Sequence, residues 1–284
     1  MNANEQDFLP IWVKANLNRF RLSNQESLDL FSAAKPLGEL CLVLIGIKNC
    51  GISDLNWAKE LIQCLWLDLV ELNRQSYWTR LWKKIDEQDV YGEILQLFLH
   101  LELLCGHRFT FHKQIRDYLQ GVSSRPSIAL SLRYTCELIG EGSCERYALE
   151  EIGELLSRQE RGETLYSSDL YDLTHAIFYG SKMGTRSLKW KGVFPELPEV
   201  LNFYMQNSLE SSDLDLAAEL LFSLVLLKTT QSRIAEKTYQ RLKENIQPDL
   251  NSPLIVGNLF YEGDQFNRQY HLALVTILSL YTMK

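Results

Sequence analysis

The chain has 284 residues, of which 46% are hydrophobic and 23% are charged, and its formal net charge at pH 7 is −7. This is the composition of an ordinary globular protein with enough apolar side chains for a core. The acidic balance argues against a protein that binds nucleic acid or an anionic membrane surface. We therefore expect a small molecule or a peptide as the partner, while the oligomeric state is left open.

Six cysteines are present, none of them in a Cys-x-x-Cys pair, and four of them lie in apolar helical runs. Single apolar thiols of this kind are typical of a reducing compartment. The first residues are polar and show no basic-then-apolar signal peptide. No apolar run reaches the ~18 residues that a membrane span requires. We therefore predict a cytoplasmic protein without disulfide bonds.

Helical periodicity runs along nearly the whole chain, whereas sustained strand alternation and Asn-Gly or Asp-Gly hairpin turns are lacking. In chain order the predicted helices are 7–19, 36–48, 54–69, 77–84, 90–105, 111–119, 128–139, 145–158, 169–179, 199–207, 214–227, 232–245 and 268–283. Pro36 is predicted to open the second of these, because proline suits the first turn of a helix. The pattern predicts a single all-α domain, residues 1–284, of about a dozen helices.

Two kinds of helix alternate along the chain. Runs that are apolar almost all round are 36–48, 91–105, 214–227 and 270–282, and runs with one apolar stripe and a charged face are 145–158 and 232–245. A helix that is apolar on every side must be covered on every side, so the first kind is predicted to lie inside the second. Their regular spacing predicts consecutive hairpin pairs. We expect these pairs to close into an α/α toroid, with an open α-solenoid as the alternative.

The densest group of polar residues within an apolar run lies between Asp169 and Tyr179. On a helix, Asp172, His175 and Tyr179 share one face because they are three and four residues apart, and Tyr171 stands beside that face. A carboxylate one turn before an imidazole fixes the tautomer of the ring, which suits a general acid or base. The structural alternative is that Asp172 is a first-turn acid and His175 a core histidine.

Asp215 and Glu219 lie four residues apart on one face of the apolar helix 214–227. When two carboxylates lie this close together, each raises the pKa of the other, so one of them can stay protonated and act as an acid. The structural alternative is that Asp215 is a first-turn acid and that Glu219 pairs with a base from a neighbouring helix.

A basic group, Arg268 with Tyr270 and His271, opens the last apolar helix. A basic side chain at the positive end of a helix dipole is unfavourable unless an anion lies opposite. That anion is either the carboxylate of Asp215 or Glu219, or a carboxylate or phosphate of a substrate.

Arg133 is a further candidate for substrate binding, with an ordinary pair to Glu137 four residues later as the alternative. Cys105, His107 and His112 are metal-ligand types, but their spacing matches no recognised zinc motif. We therefore predict neither a metal nor a cofactor.

The stretch Asp169–Tyr179, the motif Asp213-x5-Glu219 and the pair Tyr270-His271 resemble an uncharacterised bacterial all-helical family. Members of that family often sit in natural-product gene clusters, so the resemblance implies a role in bacterial secondary metabolism. It covers mainly residues 125–284 and implies no particular activity. Among α/α toroids, the chain lacks the zinc ligands of lanthionine cyclases and the aspartate-rich motif of protonating terpene cyclases.

In parallel inner helices the N-terminal turns meet at one end, which would bring the three polar groups to one cavity. We therefore expect an enzyme that acts on a small polar or anionic metabolite by acid–base chemistry, through cyclisation, elimination or hydrolysis. In this hypothesis His175 is the base or acid, Asp172 orients it, and Glu219 is the second proton-transfer group. Arg268 and His271 hold the charge of the substrate. The alternative is a non-catalytic helical-repeat module that binds a peptide or a partner protein.

Overall fold

The computed structural model describes residues 13, 16, 20, 30–50, 62, 63, 66, 67, 76–87, 92, 94–109, 111–125, 127–245 and 265–283. Within these ranges, only the backbone is described for residues 30–33, 76, 77, 86, 87, 245 and 265–269. The predicted helix 7–19, most of the helix 54–69 and Cys64 lie outside the described residues.

The described residues form eleven helices and no strand, which confirms the all-α fold. The helices are α1 (Leu30–Asn49), α2 (Ser76–Glu87), α3 (Leu95–Cys105), α4 (His112–Ser123), α5 (Leu130–Leu138), α6 (Glu145–Glu160), α7 (Ser167–Gly180), α8 (Leu197–Glu210), α9 (Leu214–Leu227), α10 (Arg233–Asn245) and α11 (Gln265–Thr282). Pro36 lies inside α1 rather than at its start, so its missing N–H removes one hydrogen bond from that helix. None of the described helices is long and apolar enough to cross a membrane.

The chain divides into two compact units. The first unit consists of the residues up to Lys48 and of Ser53–Ser143, and the second consists of Asn49–Ile52 and Cys144–Lys284. The single domain stays a prediction, and so does the choice between toroid and solenoid.

In the first unit, α5 packs against both α3 and α4. His100 on α3 is fully buried, and its Nε2 lies 3.1 Å from the hydroxyl of Tyr134 on α5. Burial lowers the pKa of His100 to about 3, because the charged imidazolium is disfavoured away from water. His100 is therefore a neutral core histidine at physiological pH.

In the second unit, α9 is the central helix, and α7, α8, α10 and α11 all pack against it. Every residue from Leu216 to Leu224 is buried, which agrees with a helix that is apolar almost all round. The helix begins at Leu214 because the carboxylate of Asp213 accepts a hydrogen bond from the N–H of Leu216 at 3.2 Å.

Helices α7 and α9 run parallel. Tyr171 contacts Asp215, Thr174 contacts Glu219, and the ring of Phe178 lies 5.1 Å from that of Phe222; the partners in these three pairs are separated by 44, 45 and 44 residues. A nearly constant separation over two turns requires the same chain direction in both helices. The N-terminal turns of α7 and α9 therefore lie side by side, and the beginning of α11 reaches the same place through His271.

Candidate functional site

Six polar side chains from three helices meet where the N-terminal turns of α7, α9 and α11 come together. We call them the three-helix cluster: Tyr171, Thr174 and His175 from α7, Asp215 and Glu219 from α9, and His271 from α11. The start of α7 is anchored by Asp169, whose carboxylate accepts a hydrogen bond from the N–H of Tyr166 at 2.8 Å and pairs with Arg158 of α6 at 2.8 Å. This anchor fixes the position from which Tyr171 reaches α9.

Asp215 joins α7 to α11. Its Oδ2 accepts a hydrogen bond of 2.7 Å from the hydroxyl of Tyr171, and its Oδ1 lies 2.7 Å from Nδ1 of His271. Because an ionised carboxylate only accepts hydrogen bonds, Nδ1 of His271 carries the proton in this contact. The other ring nitrogen, Nε2, is then the one available for proton transfer.

Tyr171 acts as a permanent donor to Asp215. Burial raises the pKa of the Tyr171 hydroxyl well above its ordinary value, and the neighbouring carboxylate of Asp215 raises it further. The tyrosine therefore stays protonated at any physiological pH and holds Asp215 in place.

Glu219 is the most deeply buried acid of the cluster, with 1% of its side chain exposed. Its Oε2 accepts a hydrogen bond of 2.5 Å from the hydroxyl of Thr174, and its Oε1 lies 3.4 Å from Nε2 of His271. Nε2 of His175 lies 3.9 Å from Oε2 on the other side. A buried carboxylate is tolerated only when such partners replace water.

His175 lies at the edge of the cluster. Its side chain is 44% exposed, compared with 29% for His271 and 28% for Asp215. The imidazole lies 5.8 Å, centroid to centroid, from the tilted ring of Tyr179. His175 therefore faces Glu219 on one side and solvent on the other.

Residues 11–281 match the model of a domain of unknown function, DUF6895. The chain belongs to the DUF6895 family. The prediction of an uncharacterised family is thereby confirmed, and the match begins far ahead of residue 125. No curated protein and no solved structure matches the chain.

The predicted residues of this DUF6895 chain fall into two groups. His175, Asp215, Glu219, His271 and Tyr171 come together in the cluster. Asp172 does not make its predicted contact with His175.

Asp172 is exposed, and within the described residues it has no hydrogen bond or ion pair. Desolvation by the surrounding protein raises the pKa of Asp172 above its ordinary value, and the neighbouring carboxylate of Asp169 raises it further. Asp172 in turn raises the pKa of Glu151 on α6, after the larger effect of the burial of Glu151 itself. The carboxylate of Asp172 is therefore on the α6 side of α7, and it is not the group that orients His175.

The remaining predicted binding residues lie elsewhere or are not described. Tyr270 is buried, with 5% of its surface exposed. The backbone of Arg268 lies in the first turn of α11, but its side chain is outside the described residues. Arg133 belongs to the first unit, where it is buried and its Nη2 donates to the carbonyl of Arg125 at 3.5 Å.

Thr174 is the member of the cluster that the sequence pattern did not single out. It is fully buried, and its hydroxyl lies within donating distance of both Glu219 and the carbonyl of Tyr171. The signal was its place on α7: three residues after Tyr171 and four before Phe178, a stripe that faces α9.

Of the three residues considered as metal ligands, His112 has a structural partner. The buried carboxylate of Glu102 lies 2.7 Å from Nδ1 of His112 and accepts a hydrogen bond of 2.8 Å from the N–H of Phe109. Glu102 thus ties the loop before α4 to α3. In the part of the DUF6895 chain that the structure describes, no three His, Cys, Asp or Glu side chains are arranged to hold a metal ion.

The described cysteines, Cys41, Cys50, Cys105, Cys136 and Cys144, carry free thiols. Burial raises the pKa of Cys105 and that of Cys136 to about 11. Both are therefore protonated and weakly nucleophilic at neutral pH.

Proposed function

We propose that this DUF6895 protein is an enzyme of bacterial secondary metabolism that acts on a small polar or anionic metabolite by acid–base chemistry, without a metal. His271 is the proton-transfer group at the reacting centre, Asp215 orients it, and Glu219 is the second proton-transfer group. The observation that carries the proposal is the His271 ring, bound at Nδ1 by Asp215 at 2.7 Å and 3.4 Å from Glu219 at Nε2.

This geometry suits a proton-transfer pair for a physical reason. A carboxylate at Nδ1 selects the tautomer with a free Nε2 and stabilises the imidazolium that forms when Nε2 takes a proton. In the proposal Glu219 holds the proton to be delivered, because its Oε1 lies 3.4 Å from Nε2 of His271 while its Oε2 is bound by the hydroxyl of Thr174. A base and an acid that face each other across one short gap can remove a proton from one substrate atom and donate a proton to another.

The reaction classes follow from that pair. In an elimination or a dehydrating cyclisation, His271 takes a proton from the substrate, and Glu219 gives its proton to the departing oxygen, which leaves as water. In a hydrolysis, the same two groups act on an attacking water and on the leaving group. All three classes need proton transfer only and no redox partner.

The class of substrate rests on the sequence. Arg268 precedes His271 by three residues, so we propose that it binds a carboxylate or phosphate of the substrate. The assignment to secondary metabolism rests on the resemblance of Asp169–Tyr179 and of the Tyr270-His271 pair to a family found in natural-product gene clusters.

The test is conversion of small metabolites. The purified protein is incubated with pools of polar and anionic metabolites, and mass spectrometry follows the loss or gain of one water and the appearance of isomers. The matched controls are the variants His271→Gln and Glu219→Gln, which keep a hydrogen-bonding side chain of similar size. We expect conversion by the parent and a loss of about 10²–10⁴-fold in rate in each variant, the scale of a general acid–base contribution.

Equal conversion by the parent and both variants would contradict the proposal. The alternative, a non-catalytic helical-repeat module, predicts instead that a peptide or partner protein is bound and recovered chemically unchanged.

A further inference from the structure

We propose that His175 is the proton shuttle of the three-helix cluster, carrying protons between bulk water and the buried carboxylate of Glu219. This inference rests on the proposed function, because it concerns the group that restores Glu219 after each reaction. It assigns His175 a role different from that of His271, the group at the reacting centre.

The burial of Glu219 creates the need for a shuttle. An acid that gives up a proton in each turnover must regain one, but the Glu219 side chain is only 1% exposed. Direct exchange with solvent is therefore blocked, and the proton has to pass through a neighbouring group.

Thr174, His271 and His175 are described neighbours of the Glu219 carboxylate, and they differ in their access to water. Thr174 is fully buried, so its hydroxyl does not reach solvent. His271 is 29% exposed but is engaged by Asp215 at Nδ1 and takes part in the reaction itself. His175 is 44% exposed and has its Nε2 3.9 Å from Oε2 of Glu219. His175 thus combines the greatest exposure with a direct approach to the buried acid.

The step balances as a pure proton transfer. The imidazolium of His175 gives its Nε2 proton to Oε2 of the Glu219 carboxylate, which leaves a neutral ring and a neutral acid. The ring then swings outward and takes a new proton from water or from a buffer acid. The proton that His271 took from the substrate leaves to bulk water through the exposed part of its ring, which is 29% exposed, so the cluster holds the same number of protons before and after each turnover. Imidazole suits this role because its ordinary pKa allows both forms between pH 5 and 8.

The distance requires only a small movement. The present 3.9 Å between Nε2 and Oε2 exceeds a good hydrogen bond by about 1 Å. The His175 ring is half-exposed and lies tilted against the rings of Phe178 and Tyr179, so a rotation of its side chain can close that gap. The titratable groups around this path include Tyr171 from α7, Asp215 from α9 and His271 from α11.

The experiment follows the protonation rate of Glu219 in the full chain without any substrate. The carboxyl carbon of glutamate is labelled with ¹³C, and relaxation dispersion near the titration midpoint of Glu219 gives its rate of proton exchange. In His175→Phe, which keeps an aromatic ring but cannot carry a proton, we expect this rate to fall by about tenfold or more. Free imidazole in the buffer should restore it.

Two further variants make the result decisive. Tyr179→Phe removes only a neighbouring hydroxyl and should leave the exchange rate unchanged, whereas His175→Gln should lower it as His175→Phe does and serves if the phenylalanine variant folds poorly. An unchanged rate in the folded His175 variants would overturn the inference, and so would the absence of measurable proton exchange at Glu219 in the parent. Either result would leave the proposed function to be judged by metabolite conversion.

Discussion

Replacing His271 by Gln removes a base that lies against two carboxylates at once. The ring is 2.7 Å from Asp215 and 3.4 Å from Glu219, and Glu219 is 1% exposed. Gln cannot carry a positive charge, so Glu219 has to remain charged with weaker partners or take up a proton. Replacing Glu219 by Gln does the reverse, because it removes the buried charge and keeps an oxygen that accepts from Thr174.

The magnitudes separate the two variants. When the proton of the pair sits on His271 instead of on Glu219, the two side chains carry unit charges 3.4 Å apart, which attract each other by about 5 kcal/mol at an effective dielectric constant of ~20. Desolvation of a buried ion opposes this attraction with several kcal/mol of its own, so removing the buried charge itself changes stability little. Removing the partner and leaving the charge is expected to lower the free energy of unfolding by about 2–4 kcal/mol. We therefore expect His271→Gln to be clearly destabilised and Glu219→Gln to stay within about 1 kcal/mol of the parent.

Thermal and urea unfolding at neutral pH, followed by circular dichroism, test this prediction. A loss of 2–4 kcal/mol corresponds to a fall in Tm of about 5–10 °C. The double variant completes a double-mutant cycle, and it should recover about half or more of the loss, because the uncompensated carboxylate is gone. The reasoning is refuted if Glu219→Gln is the more destabilised of the two, or if the double variant recovers nothing.

Three other predictions concern the stability effect of His175, the pH dependence that His100 causes, and the reactivity of Cys105 and Cys136. His175→Gln should change stability by less than about 1 kcal/mol, because the ring is 44% exposed and 3.9 Å from Glu219; a fall in Tm of several degrees would contradict this. The pKa of His100 is about 3 in the folded chain and 6.5 in the unfolded chain, so between these two values the unfolded chain binds a proton at His100 and the folded chain does not. The free energy of unfolding therefore decreases as the pH falls from 6.5 to about 3. Between pH 7 and pH 5.5 this amounts to about 1.2 kcal/mol, and urea titrations of parent and His100→Phe should show a smaller pH dependence in the variant. Cys105 and Cys136 should react with iodoacetamide at neutral pH about a hundredfold more slowly than free cysteine, as followed by mass spectrometry, and rapid labelling would refute their raised pKa values.

The second unit shows what periodicity can predict. The bounds of α9 agree with the prediction, because its apolar run starts directly after a capping aspartate, Asp213. The convergence of polar residues at the N-terminal turns was also expected from parallel inner helices. The bounds of α9 follow from local rules, capping and the period of 3.6, whereas the convergence depends on the helices being parallel.

The prediction for Asp172 was wrong because the sequence does not show how α7 is rotated about its axis, and so does not show which of its side chains face α9. At 100° per residue, Tyr171 and Thr174 lie about 40° and 100° to one side of His175, whereas Asp172 lies about 60° to the other side. Sequence spacing shows that Asp172 and His175 share part of a face, but it does not show where the border between the buried and the exposed surface falls. In the structure that border runs through His175, so Thr174 is buried against Glu219 and Asp172 is left near Glu151.

The role of His271 depended on the register between two helices far apart in the sequence. Its ring meets Asp215, which is 56 residues away, and no local pattern predicts which turn of α9 faces which turn of α11. The sequence pattern singled out five of the six cluster residues but not Thr174, and it paired His175 with Asp172, whereas in the structure His175 lies against Glu219. The carboxylate-to-imidazole contact that we expected within one helix occurs between two.

The energetics of α9 support a functional reading of the cluster. Apart from its two carboxylates and Ser223, this helix is entirely apolar. Asp215 and Glu219 lie on the side of α9 that packs against α7 and α11, where an apolar side chain would also fit. Replacing buried ionic groups by well-packed apolar ones is often neutral or stabilising, so the scaffold alone does not require them. Their hydroxyl and imidazole partners bind them with short, directed hydrogen bonds instead of leaving them to solvent. A folded helix bundle does not require these groups, and this is the energetic argument for the proton-transfer function that we propose.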